Sequence, residues 1–130
     1  MRISNAIILL LAFAAPAQAQ PVQITGKLGY LSEWEIAATV DEHASAGTKE
    51  FSGPLVLRHV GVCTPGRPVE MSGEIRYHIT GWISPRMKAI LRIEGTECGF
   101  EAKLSEAYEG VLSCPQWRGV PVSLFVKVAD

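Results

Sequence analysis

"VQITGKLGYLSEWEIAATV", residues 22–40, decides the fold. Its even positions read Val22, Ile24, Gly26, Leu28, Tyr30, Ser32, Trp34, Ile36, Ala38 and Val40, while the odd ones include Gln23, Thr25, Lys27, Glu33, Glu35 and Thr39. Successive side chains of an extended backbone point to opposite faces, so a period of two collects the apolar set on one side. A helix would scatter the same residues around its circumference. The stretch therefore predicts one long β-strand with a single buried face, or two strands sharing a bend at Gly26 or Gly29.

The same period recurs further along. Val69, Met71, Ile75, Tyr77 and Ile79 alternate with Glu70, Ser72, Glu74, Arg76 and His78. Ala89, Leu91 and Ile93 alternate with Lys88, Arg92 and Glu94, although Ile90 interrupts the polar face, and Val120, Val122, Leu124, Val126 and Val128 close the chain. Residues 51–63, "FSGPLVLRHVGVC", are apolar on both faces, which predicts a strand covered on both sides or a bulge that changes its parity. Turn clusters separate the runs: "SAGT", "TPGRP", "ISPR" and "CPQWRG". Short, closely spaced strands without a helical segment predict an all-β fold, a small antiparallel up-and-down barrel or sandwich of about 7–8 strands.

Upstream of the first strand lies an address. Arg2 precedes the apolar run "AIILLLAFAA", and Ala17 and Ala19 supply the small residues of an A-x-A cleavage site. Residues 1–19 are expected to be a signal peptide, too short in its apolar part to span a bilayer, which needs roughly twenty residues. No cysteine flags a lipid anchor at the cleavage site. Residues 20–130 are then a single β-barrel-like domain, periplasmic or secreted, with no membrane contact expected once the leader is removed. Of the 12 basic residues Arg2 leaves with the leader, against 13 acidic ones, so the remainder is slightly acidic and has no basic run for nucleic acid.

An oxidising compartment permits disulfides. If Cys98 to Leu104 and Tyr108 to Cys114 form a hairpin around Ser105, Glu106 and Ala107, then Leu104 faces Tyr108, Ala102 faces Gly110 and Phe100 faces Leu112. That register buries an all-apolar face and sets Cys98 opposite Cys114, within bonding reach. A rival hairpin around Tyr108, Glu109 and Gly110 would place Glu106 opposite Leu112 and Cys98 opposite Val120, a poorer burial pattern. The favoured disulfide is Cys98–Cys114, although a meander brings Cys63 to the same pole and the sequence alone does not choose among the three cysteines. Cys63 is then left as a buried thiol or an intermolecular linker, so a monomer is expected, with a Cys63-linked dimer as the alternative.

Chemistry-bearing patterns are absent from the sequence. There is no C-x-x-C, and His43, His59 and His78 have no short ligand spacing to one another or to the cysteine pair, so no metal site is expected. Neither a nucleophile elbow nor a phosphate-binding glycine loop occurs. Glu33 and Glu35 share a strand face and read as solvated rather than as an acid–base pair. No catalytic residue, cofactor or enzyme activity is expected. Surface for recognition remains: Trp82 with Arg86 near one end of a meander, and Trp117 with Arg118 near the other, form a candidate binding rim, since Trp and Arg are the commonest hot-spot residues. Either tryptophan could instead plug an open barrel end. In size, export and strand count the chain is similar to small disulfide-stapled exported barrels, including bacterial lysozyme inhibitors and metalloprotease inhibitors, a likeness of architecture alone. The expected function is that of an exported, soluble, non-enzymatic binding or inhibitor-like module for a protein or envelope component. The alternatives are a carrier of a small apolar ligand lined by Tyr30, Trp34, Tyr77 and Phe100, or a structural envelope protein linked through Cys63.

Overall fold

A computed structural model describes residues 21–45, 48–60 and 69–128. Residues 1–19, expected to be the leader, and Cys63 lie outside the described residues. Eight strands follow one another: β1 (Val22–Leu28), β2 (Trp34–Ser45), β3 (Thr48–His59), β4 (Glu70–Thr80), β5 (Arg86–Ile93), β6 (Thr96–Leu104), β7 (Tyr108–Ser113) and β8 (Val120–Val128). Every strand pairs antiparallel with its sequence neighbours, and β8 pairs with β1, so the sheet closes into an up-and-down barrel rather than a sandwich. Around one circuit the registers stagger by roughly ten residues, which tilts the strands against the barrel axis as closure requires.

Residues 22–40 are two strands with the bend at Gly29. Leu28 faces Trp34 and Val22 faces Val40, so the five residues between the strands preserve parity and the even positions stay inside on both. Val22, Ile24, Leu28, Ile36, Ala38 and Val40 are buried. Across β2–β3 the parity flips, because Ser45 faces Thr48 with an even number of residues between them. Leu55 and Leu57 therefore point inward, and Pro54 and Val56 outward. The doubly apolar stretch of β3 is thus neither covered on its outer face nor bulged. Its ladder to β2 lapses opposite Gly53 and Pro54, where proline has no N–H to donate. Parity flips once more at the two-residue turn Glu94–Gly95, whose φ angles of 49° and 81° are those a tight hairpin needs.

Eight strands leave an interior just wide enough to be filled by side chains. Leu28, Leu55, Leu57, Ile75, Tyr77, Leu91, Phe100, Leu112 and Leu124 fill it. Near one end Phe51 stacks on Tyr77 at 5.1 Å, and near the other Trp34 meets His59 edge-on at 4.8 Å. The β6–β7 hairpin adopts the register in which Leu104 faces Tyr108 and Phe100 faces Leu112. Cys98 and Cys114 continue that register as a disulfide with a Cα separation of 4.3 Å. An intramolecular disulfide fits an oxidising, extracytoplasmic location. Among the described residues no helix is long and apolar enough to cross a membrane.

Candidate functional site

A closed barrel has no sheet edge to offer a partner, so its ends carry the distinctive surface. The disulfide end is built from residues 29–33, the Glu94–Gly95 turn and residues 114–119. Its loops are tied together: Gly29 N–H donates to the Pro121 carbonyl at 2.9 Å, the Tyr30 hydroxyl to the Gly119 carbonyl at 3.0 Å, and Cys114 N–H to the Trp117 carbonyl at 2.6 Å. Trp117 is half-exposed, at 39%, and with Met71, Ile93 and the disulfide lines a hollow of about 150 Å³. Arg118 beside it is exposed.

The opposite end carries the β4–β5 loop, "GWISP", residues 81–85. Gly81 has φ of 89°, and a Cβ there would press on the Ser84 carbonyl oxygen at 2.9 Å, so a glycine is needed for this bend. Pro85 closes the loop, and its carbonyl accepts from Leu104 N–H at 3.0 Å, fastening the base to β6. Between these fixed points Trp82 and Ile83 project with 99% and 98% of their surface exposed. Phe51, Tyr77 and Tyr108 pack in the core towards this end, and Trp82 takes no part in that packing.

Below the tip, on the outer wall, Arg86 opens β5 and faces Lys103 of β6 directly. Elsewhere cross-strand neighbours on the wall are of opposite charge: Lys27 with Glu35 at 3.3 Å, Arg76 with Glu50 at 3.2 Å, Arg92 with Glu97 at 3.8 Å. Neither Arg86 nor Lys103 joins any ion pair among the described residues. Like charges facing across strands are destabilising. Lys88, one step further along β5, is paired with Glu101 at 3.9 Å.

The four rim residues read from the sequence thus fall at two separate ends, Trp82 and Arg86 at one and Trp117 and Arg118 at the other. Sequence reasoning passed over Ile83 and Lys103. The signal for Ile83 was its place beside Trp82 inside a Gly–Pro bracket; Lys103 carried none until the β5–β6 register was known. The remaining candidate groups have structural tasks. The Glu33 carboxylate accepts from Leu31 N–H at 2.9 Å within its turn, whereas Glu35 pairs with Lys27 on the wall. His59 packs against Trp34. No group of three or more His, Cys, Asp or Glu among the described residues could hold a metal ion. Tyr77 is buried with its hydroxyl unpartnered among the described residues, and burial, then the neighbouring Tyr108, pushes its phenol up to about 12.

Comparison with known proteins finds no matching family model, no matching curated protein and no matching solved structure.

Proposed function

We propose that the protein is an exported, non-enzymatic binding module of the periplasm or extracellular medium, and that the Trp82 end of the barrel is its contact surface for an envelope component. One observation carries this reading: two adjacent large apolar side chains, Trp82 and Ile83, stand almost wholly in solvent on a loop whose Pro85 end is hydrogen-bonded to β6. Exposed apolar residues contribute nothing to folding, and their burial against a partner yields about 1.5–3 kcal/mol each.

The test is affinity capture from an envelope extract with the native protein and a Trp82→Ser/Ile83→Ser variant. The native protein should retain a component that the variant releases, while thermal unfolding and disulfide content stay the same. Equal retention by both would overturn the assignment of the site.

A further inference from the structure

Resting on that reading, we infer that what the Trp82 end meets is an anionic lipid surface. The shape of the tip is the first argument. Trp82 and Ile83 form a convex point, with half-exposed Leu104 at the same end. A fluid bilayer moulds itself around a protruding point, and Trp is a favoured side chain at the membrane–water boundary. Two inserted residues would reach about 5–10 Å, the depth at which apolar faces of surface-bound elements lie.

Charge supplies the second argument. Arg86 follows the tip after only Ser84 and Pro85, and with Lys103 opposite it forms a two-cation collar at headgroup height once the tip is inserted. The collar has no ion-pair partner among the described residues. A lipid phosphate between the two would convert a repulsive contact into an attractive one, and Arg and Lys near an anionic surface each strengthen attachment. The acids at this end are Glu106 on the β6–β7 turn, Glu109, which faces Lys103 across β6–β7, and Asp41, Glu42 and Glu50 on the β2–β3 hairpin, of which Glu42 pairs with Lys49 and Glu50 with Arg76. They limit the electrostatic part, so insertion of the tip is the leading contribution and the collar selects the lipid. The sequence reading expected no membrane contact after removal of the leader. The exposure of this loop, which only the folded chain reveals, is the reason to depart from it.

Protein isolated after export, its N-terminus verified by mass, is mixed with vesicles of equal parts phosphatidylglycerol and phosphatidylcholine, and separately with phosphatidylcholine alone. Flotation and tryptophan emission are followed. The native protein should float with the anionic vesicles and shift its emission to the blue. Trp82→Ser/Ile83→Ser should weaken anionic binding by roughly a hundredfold or more. Arg86→Gln/Lys103→Gln should weaken it roughly tenfold, towards the level seen with phosphatidylcholine. Failure to float with anionic vesicles, equal flotation of the tip variant, or equal binding to both lipids would each overturn the inference. If the envelope capture described above depends on Trp82 and Ile83 while vesicles are not bound, the partner is a protein or glycan and the binding reading stands without the lipid. If neither experiment responds to the tip, both readings fall.

Discussion

Replacing Tyr77 by Phe should make the protein more stable, and more so in alkali. Tyr77 is 1% exposed, its ring stacks on Phe51, and its hydroxyl has no hydrogen-bond partner among the described residues. A buried hydroxyl without a partner costs about 1–3 kcal/mol. Phe retains the ring and the stack and deletes only the oxygen, leaving a void of less than a methyl group. Allowing for that void, Tyr77→Phe should gain about 1 kcal/mol near pH 8. The second effect is one of linkage. The phenol is pushed up to about 12 in the folded chain, against 10.0 for an exposed tyrosine. Below pH 10 both states hold the proton and the shift has no effect. Between pH 10 and 12 the unfolded chain releases a proton that the folded chain keeps, so stability falls as pH rises. Two units correspond to on the order of 2–3 kcal/mol. Tyr108, also raised by burial, adds a loss of the same sign that the variant shares.

Urea unfolding at a series of pH values, in a Cys63→Ser background so that no free thiolate attacks the disulfide, measures both effects. The variant's advantage should be flat to about pH 10 and then widen. A variant less stable than the native protein at pH 8 would refute the reasoning, because the hydroxyl would then have a native partner. Parallel curves above pH 10 would refute the titration argument alone.

Removing both halves of the disulfide, Cys98→Ala/Cys114→Ala, opens a loop of sequence separation 16 and should cost about 3 kcal/mol, read as a lower urea midpoint with a steeper slope, since the unfolded chain without the crosslink exposes more surface. Gly53→Ala should be severely destabilising, by more than about 3 kcal/mol, since its Cβ would collide with the Thr39 carbonyl oxygen, while Gly99→Ala, with open space around its Cβ, should be within about 0.5 kcal/mol of native. Arg86→Glu replaces a like-charge cross-strand contact by an attractive one and should raise stability by about 0.2–1 kcal/mol, detectable as a higher thermal midpoint that diminishes in salt.

The walls of this barrel were legible and its ends were not, for a physical reason. A wall strand has one face in hydrocarbon and one in water, so each residue of residues 22–28, 34–40 and 70–79 repeats the same binary choice and the pattern accumulates. The β6–β7 register was legible because one pairing buries Phe100, Ala102 and Leu112 together and places two cysteines face to face. β3 misled because Pro54 and Val56 are apolar on the solvent face, and a lone apolar residue on a wall is energetically permissible. Loop exposure follows no period. Trp117 and Trp82 both lie among turn residues with an arginine close behind, yet one leans over a disulfide and the other stands clear of the barrel. The difference comes from Gly81 and Pro85, which fix a bend that directs Trp82 outward, and from the Cys114–Trp117 hydrogen bond, which draws the other loop back.

That contrast bears on where function resides. At the disulfide end the exposed Tyr30 has its hydroxyl engaged with Gly119, and Trp117 lines a hollow together with the disulfide. At the other end Phe51, Tyr77 and Tyr108 belong to the core packing, whereas Trp82 and Ile83 lie outside both that packing and the paired strands. Two apolar residues held in water at an apex favour association with something apolar. The facing cations Arg86 and Lys103 sit at the base of the same loop, a second local cost to the isolated chain that an anion would offset. Both costs end with a single encounter in which the tip enters an apolar phase and the collar meets negative charge.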